Sequence, residues 1–512
     1  MGINRSLMLR KIRIVLAALC FTALTLLFLD FTGALHAWLG WLAKIQFLPA
    51  VLALHVVIVV ALVALTLLLG RIYCSVICPL GVFQDIVSWF SARRKGKKAR
   101  FGYTKEIKWL RYGLLAVFLA LLVAGVNSLA MILAPYSAWG RIVQNLFAPV
   151  YQWGNNLLAG LSERWHNYAF VPKDVWLKSL PTFLIAAATF VAVVVLAWRN
   201  GRTWCNTLCP VGTALGFLSR FAAFRPMIDT SKCTACHACE KHCKASCIDI
   251  QKARKHIDYS RCVDCFDCVE RCKFGALHYR FARGGAKRSR AQEGQEADAG
   301  RRAFLAGTAI ALTGTALHAR DKVKEVEKKR DGGLADILPK QAPDRSTPIT
   351  PFGSESIKHF FQHCTACQLC VAVCPNQVLR PSTGLSHFMQ PVMSFERGYC
   401  RPECVKCSEV CPAGAIRKIT PEEKTQWKVG TASVAYDLCI VNRDGVSCGN
   451  CARHCPVGAI QMVRKDPEDK QSLRIPAVRE EKCIGCGACE NLCPSRPVSA
   501  ITVTGYEVHH LS

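Results

Sequence analysis

The chain has 512 residues, 65 Lys and Arg against 36 Asp and Glu, a formal net charge of +29, 51% hydrophobic residues and 30 cysteines. The hydrophobic fraction excludes a disordered basic tail, and the length allows several domains with buried cores. That many cysteines exceed ordinary cytosolic use, yet they are too dilute for a small disulfide scaffold, which leaves a metal-rich protein, a membrane protein, or both.

Residues 1–224 predict an α-helical polytopic membrane domain. Ile12–Asp30, Phe47–Gly70, Trp109–Ala134 and Leu180–Trp198 are each apolar over about one bilayer, and about 20 apolar residues span a hydrocarbon core. Arg5, Arg10, Lys11 and Arg13 flank the first span, and the stretch 91–108 holds eight Lys/Arg against one Glu. The loop between the first two spans has only Lys44. The positive-inside rule then puts the N-terminus, the 91–108 loop and the residues after Trp198 in the cytoplasm. The basic run is thus a topology determinant, and no nucleic-acid partner is expected.

Two matched boxes follow the second and fourth spans: Cys74-Ser-Val-Ile-Cys78-Pro79 and Cys205-Asn-Thr-Leu-Cys209-Pro210. Structural disulfides are disfavoured on a reducing side. The four thiols suit an additional metal or redox centre, a pair of dithiols, or buried thiols in chain-reversing turns.

Residues 225–283 are soluble in composition and Cys-rich. A polar linker (284–300), Arg301-Arg302 with an uncharged stretch to Ala319, and a second linker (320–351) lead to another Cys-rich region, 352–512. Across the two regions, 24 cysteines form six quartets. Two lie in 225–283: Cys233, Cys236, Cys239, Cys243 and Cys262, Cys265, Cys268, Cys272. Four lie in 352–512: Cys364, Cys367, Cys370, Cys374; Cys400, Cys404, Cys407, Cys411; Cys439, Cys448, Cys451, Cys455; and Cys483, Cys486, Cys489, Cys493.

Three thiolates on one tight turn cap three irons of a cubane, and the fourth Cys ligates the neighbouring cluster. The expectation is six [4Fe–4S] clusters in α+β ferredoxin-like domains, one dicluster and one four-cluster. Fourth ligands exchange within each pair: Cys272 with Cys243, Cys411 with Cys374, and Cys493 with Cys455. Zinc also suits paired cysteines, but six repeats of the four-Cys string disfavour it. Cys236-His237 matches a haem c attachment string and is an incidental loop pair on the cytoplasmic side. Cys20 is packing, and Cys247 is a spare thiol or alternative ligand. Lys244 and Lys273 replace the proline that follows the other quartets, and a cation there would raise a cluster's potential.

These motifs carry a resemblance. Residues 1–283, with their spans, CxxxCP boxes and two ferredoxin quartets, resemble the NapH-type membrane subunit of the periplasmic nitrate reductase quinol dehydrogenase. The same architecture occurs in nitrous-oxide and methylamine respiratory systems and in a cytochrome oxidase assembly protein. Residues 301–512 resemble its exported NapG/MauM-type polyferredoxin partner, so the chain looks like both subunits fused. It departs from the pattern in the C-x3-C spacing at 400–404 and in an interior twin-arginine string without a preceding Ser or Thr.

The resemblance implies a multi-pass protein of the bacterial inner membrane that oxidises membrane quinol and passes electrons to a periplasmic reductase or cytochrome c. The N-terminus and 225–300 would be cytoplasmic and the polyferredoxin periplasmic, with 301–319 acting as a twin-arginine signal or a fifth anchor. Export after folding protects cluster thiols from an oxidising compartment. A quinone site needs a proton acceptor; the candidates are His55 in the second span and Asp85 after the first box, with Asp30 and His36 at the periplasmic end. The alternative function is a redox maturation factor for a periplasmic or membrane metalloenzyme.

Overall fold

The computed structural model describes residues 2–30, 32–94, 101–166, 170–251, 255–282 and 338–511. The Arg301-Arg302 string, the stretch to Ala319, the 284–300 linker and most of 320–351 lie outside the described residues.

The first expected span is one helix, α1 (Gly2–Leu29). Asp30 ends it: its carboxylate accepts from the backbone N–H groups of Thr32 (3.0 Å), Gly33 (3.0 Å) and Leu35 (2.8 Å), turning the chain into α2 (Ala34–Leu39). After α3 (Trp41–Lys44), the second expected span proves to be two helices, α4 (Phe47–Leu52) and α5 (Val56–Leu69). Leu54 takes a left-handed conformation (φ 53°) between them, so the hydrogen-bond ladder cannot run through. At 1.5 Å per residue α5 rises only about 21 Å, short of a roughly 30 Å core.

The first box leads into α6 (Pro79–Arg94). The third expected span is α7 (Lys108–Val123), stopped by left-handed Gly125 (φ 76°) before α8 (Asn127–Ala130). A helix not foreseen from hydropathy follows: α9 (Pro135–Ile142), a five-residue π turn and α10 (Ala148–Glu163). Every residue of α9 is buried, Arg141 included, because Arg141 donates to the Met131 and Ile132 carbonyls (both 3.0 Å). The fourth expected span is α11 (Leu180–Asn200), and the second box leads into α12 (Pro210–Ser219). Among the described residues, the stretches Met8–Leu29 and Leu180–Asn200 are long and apolar enough to cross a bilayer; α5 and α12 are apolar but shorter.

The N-terminal Cys-rich region pairs β1 (Phe224–Ile228) with β4 (Leu277–Phe281), and β2 (Ile248–Ile250) with β3 (Lys255–Ile257). Two one-turn helices, α13 (Ala238–Lys241) and α14 (Asp267–Arg271), carry the third cysteine of each quartet. The C-terminal region runs α15 (Ile357–His363), α16 (Leu369–Val373), β5 (Leu379–Pro381), β6 (Pro391–Met393), α17 (Lys406–Val410) and α18 (Pro421–Gln426). It continues with β7 (Trp427–Val434), α19 (Ile440–Arg443), α20 (Asn450–Arg453), β8 (Ile460–Arg464), β9 (Arg474–Val478), α21 (Ala488–Leu492) and β10 (Ile501–Leu511). Its sheets are the antiparallel pairs β5–β6, β7–β10 and β8–β9. These are the α+β elements expected of ferredoxin-type domains.

Both Cys-rich regions pack on the helices, at opposite ends of them. Arg10, near the start of α1, pairs with Asp267 (2.8 Å) and Glu270 (2.9 Å) of the first region. Just past the other end of α1, the Thr32 carbonyl accepts from Lys406 of the second (2.8 Å). The roughly 20 helical residues between them rise about 30 Å.

Candidate iron–sulfur and thiol centres

The cysteines group across the quartets. One cavity is lined by Cys233, Cys236, Cys239 and Cys272, a second by Cys262, Cys265, Cys268 and Cys243, and a third by Cys439, Cys448, Cys451 and Cys493. In the other groups, Cys411 lies within electrostatic reach of Cys364, Cys367 and Cys370; Cys374 of Cys400 and Cys407; and Cys455 of Cys483, Cys486 and Cys489. The thiols ring a space rather than a point, and among the described residues no three metal-ligating side chains converge on a single ion.

Backbone conformation fits these cavities to an anionic cluster. In each quartet of C-x2-C-x2-C spacing, the residues just before and just after the second Cys are both left-handed: Ala235 and His237, Asp264 and Phe266, Ala366 and Gln368, Gly485 and Gly487. Left- and right-handed residues in alternation turn successive N–H groups into one concavity, an anion-binding nest. His237 therefore holds a turn position, with its ring on Glu240 (2.8 Å). The loops of Cys400–Cys407 and Cys448–Cys451 have no such alternation. Cys247 is buried with its sulfur 3.5 Å from Cys243 Sγ, a fifth thiol on the second cavity.

The groups lie in series. Cys370 is near Cys407, and the Cys400 N–H donates to the Cys486 carbonyl (3.0 Å). Cys489 is near Cys451. The order from the helices outward is thus the Cys364, Cys400, Cys483 and Cys439 groups. The first abuts α9, where a Cβ at Gly140 would stand 2.3 Å from the Cys367 carbonyl. Next to Gly140, the Trp139 ring packs on Phe21, Phe83 and Phe147 with centroids 5.0–5.9 Å apart, and Phe83 lies on the helix that leaves the first box.

The two boxes fold identically. Each is a π turn, Tyr73–Ile77 or Trp204–Leu208, ending in an extended Cys and a Pro at the first helical position. All four box thiols are buried. The repeat begins earlier than the cysteines, at Gly70-Arg71 and Gly201-Arg202, and the arginines cross: Arg71 donates to the Cys205 carbonyl (3.3 Å) and Arg202 to the Cys74 carbonyl (2.6 Å). Gln84 donates to Cys205 Sγ (3.0 Å) and the Gly212 N–H to Cys209 Sγ (3.2 Å). A Cβ at Gly81 would sit 2.2 Å from the Cys74 carbonyl and 3.0 Å from Arg202; at Gly212, 2.2 Å from the Cys205 carbonyl and 2.9 Å from Arg71. Gly81→Ala and Gly212→Ala are each expected to cost about 1–3 kcal/mol by overpacking, read as a lowered Tm in detergent. An unchanged Tm in both would refute the crossing.

Of the quinone-site candidates, His55 is placed differently from the expectation. His55 is exposed, at the start of α5, because the chain breaks at Leu54 and no continuous span surrounds it. Asp85 is buried among cations: Arg202 Nε and Nη2 at 2.8 and 2.7 Å, Lys244 at 3.9 Å, and Arg13 in contact. Burial alone would push its carboxyl up, yet Arg202, Lys244 and Arg13 hold it well below the usual carboxylate range. Lys244 is matched by Asp267 (2.9 Å), and Lys273 is exposed. Asp30 and His36 form a buried pair (3.3 Å). A cavity of about 250 Å³ lies beside Lys244 and Asp267, bounded by Arg10, Trp89, Arg93 and His242; Arg93 also edges an apolar groove with Val87, Phe90, Val194 and Trp198.

Residues 52–98 and 182–227, which contain the two boxes, match a 4Fe-4S binding domain family, and 446–496 match a 4Fe-4S dicluster domain family. The ferredoxin-type protein NapF of Escherichia coli K12 is 29% identical over 182 residues, covering 35% of this chain and 99% of NapF. The methylamine utilization ferredoxin-type protein MauM of Methylobacillus flagellatus is 28% identical over 165 residues, 31% of this chain and 70% of MauM. The ferredoxin-type protein NapG of Haemophilus influenzae is 28% identical over 155 residues, 28% of this chain and 53% of NapG. No solved structure matches. The chain is therefore a homologue of the ferredoxin-type proteins NapF, NapG, MauM and MauN and carries 4Fe-4S domains.

Proposed function

We propose that this chain is a membrane quinol dehydrogenase in which a NapH-type membrane part is fused to a NapG/MauM-type polyferredoxin. The observation that carries the reading is the placement of two cysteine-rich regions on opposite ends of the helices, with the boxes and the aromatic residues around Trp139 between them. Six [4Fe–4S] clusters, bound by the 24 quartet cysteines, would supply one-electron transfer. The chain's own residues hold each cluster in a cavity, order the groups in series, and set their electrostatics.

The cavity beside Arg10, Trp89 and His242 suits a quinol headgroup, and the apolar groove that meets it at Arg93 suits the isoprenoid tail. Quinol oxidation would release two protons to the surrounding water and two electrons, which clusters held by the quartet cysteines would accept one at a time. The membrane part is polytopic in this reading: α1 and α11 span alone, and the shorter α5 and α7 share the bilayer with the buried α9. In this reading the N-terminus and residues 225–300 face the cytoplasm, the polyferredoxin faces the periplasm, and a periplasmic reductase or cytochrome c takes the electrons.

In the test, anaerobic holoprotein in detergent receives a menaquinol analogue while visible cluster absorbance is followed. Bleaching is expected; an unreduced, fully iron-loaded protein would end the quinol reading. Alkaline phosphatase fused at the C-terminus is expected to be active, and inactivity of a stably expressed fusion would end periplasmic delivery. The four buried box thiols favour a second reading, a maturation factor. A deletion strain separates the two: a partner enzyme lacking its metal supports maturation, and a loaded but electron-starved one supports respiration.

A further inference from the structure

Lys424 is the feature that the proposed function does not use and ordinary packing does not explain. It is a lysine with 1% exposure in the C-terminal region. Its Nζ donates to Cys400 Sγ (3.1 Å), the Arg401 carbonyl (2.5 Å) and the Cys404 carbonyl (2.6 Å). An ammonium has three N–H donors, and all three are spent on acceptors. Among the described residues no carboxylate pairs with it; its other close partner is the face of the Phe352 ring (4.9 Å). A buried, uncompensated charge is costly unless an anion faces it.

The position is fixed by local structure. Lys424 sits in α18, which opens with Pro421 and a reciprocal capping box: Thr420 Oγ1 accepts from the Glu423 N–H (3.2 Å), and the Glu423 carboxylate accepts from the Thr420 N–H (3.1 Å). Other lysines near the cysteine groups differ. Lys244 is neutralised by Asp267, Lys340 caps three carbonyls (Glu490, Asn491 and Cys493), and Lys255 binds the Thr230 and Cys233 carbonyls. None of these three is hydrogen-bonded to a sulfur. The Cys400 loop also lacks the left-handed alternation that gives four of the groups a nest of N–H donors. At the Cys400 loop, which has no such nest, a side chain supplies a whole charge.

We infer that Lys424 is the fixed counter-charge of the centre held by Cys400, Cys404, Cys407 and Cys374, and makes it the highest-potential member of the C-terminal series. The step is one electron added to an oxidised cubane, with no bond made or broken and no proton moved. It makes the cluster more negative, and a cation in contact with a ligand sulfur stabilises that state most. Because the Cys400 group is second from the helices, such a potential draws electrons off the Cys364 group and makes return to the helices uphill. The inference rests on the iron–sulfur reading of the groups and not on quinol as donor.

The test is a potentiometric titration of anaerobic full-length holoprotein, followed by electron paramagnetic resonance, for wild type, Lys424→Met, Lys424→Arg and Lys340→Met. In Lys424→Met the component reduced first in the wild type is expected to move to lower potential, below at least one other component, while the others stay in place. Lys424→Arg is expected to restore most of the shift, and Lys340→Met to leave that component where it was. An unshifted first component in iron-replete Lys424→Met, or an equal shift in Lys340→Met, would overturn the assignment. Should Lys424→Met lose iron, the same titration is run on Lys424→Gln, which keeps a donor for the carbonyls; a lowered first component then supports the assignment and an unshifted one overturns it.

Discussion

Asp85→Ala is expected to destabilise the end of the helices that faces the N-terminal cysteine groups by about 3–5 kcal/mol, the cost of breaking a buried ion pair by removing one partner. Asp85 is 8% exposed, and Arg13, Arg202 and Lys244 all point at its carboxylate. Deleting it leaves three cations close together with little water to screen them. The effect is present at neutral pH: Asp85's folded pKa lies below the ordinary carboxylate value, so its contribution is complete above that value and is lost only as pH falls through the folded one. Asp85→Asn keeps the shape and a hydrogen-bond acceptor, and is expected to lose most of the same stability because the charge is gone. Thermal unfolding in detergent checks both. A wild-type Tm in Asp85→Ala combined with lost quinol oxidation would make Asp85 a proton acceptor and refute the structural role.

How far the molecule was legible from its letters depends on the range of the interactions concerned. The grouping of thiols was legible because the repeat spacing fixes which cysteines share a turn, and Cys493 lines the cavity of Cys439. The long apolar helices α1 and α11 were legible as uninterrupted apolar runs. The breaks at Leu54 and Gly125 were not, since a left-handed Leu leaves no mark in hydropathy. The buried α9 was hidden by Arg141, which reads as polar although it is buried with its Nη2 on the Met131 and Ile132 carbonyls. The Gly-Arg that opens each box marks no contact by itself, and the crossing of Arg71 to Cys205 and Arg202 to Cys74 joins residues over a hundred positions apart. Lys424 lies far along the chain from Cys400, beside no cysteine motif, and no local pattern announces it.

Iron removal is expected to unfold Lys340–Leu511 while α1 and α11 persist. The helices of this region run from four to seven residues, well under the roughly 12–15 that stand alone even marginally in water. Its sheets have two strands each, and two-stranded sheets are marginal at best. What binds these pieces into one core includes the cysteines themselves: Cys364, Cys367, Cys370, Cys439, Cys483, Cys486, Cys489 and Cys493 are all buried. Metal binding to a site absent from the unfolded chain is folding free energy, about 10–16 kcal/mol for a structural zinc. Four clusters of comparable strength would exceed the usual net stability of about 5–15 kcal/mol, so their loss puts the region on the unfolded side. Burial pushes the Cys367 and Cys451 thiols up to about 11 and Cys486 to about 12. Iron must therefore displace protons, and chelation is expected to proceed faster at lower pH. Anaerobic treatment with chelator and reductant, followed by limited proteolysis and circular dichroism, reads the outcome: fragments beyond Lys340 disappear while helical signal from α1 and α11 remains. A protease-resistant, iron-free C-terminal region would mean that its fold does not depend on the clusters, and the cavities would then need another occupant.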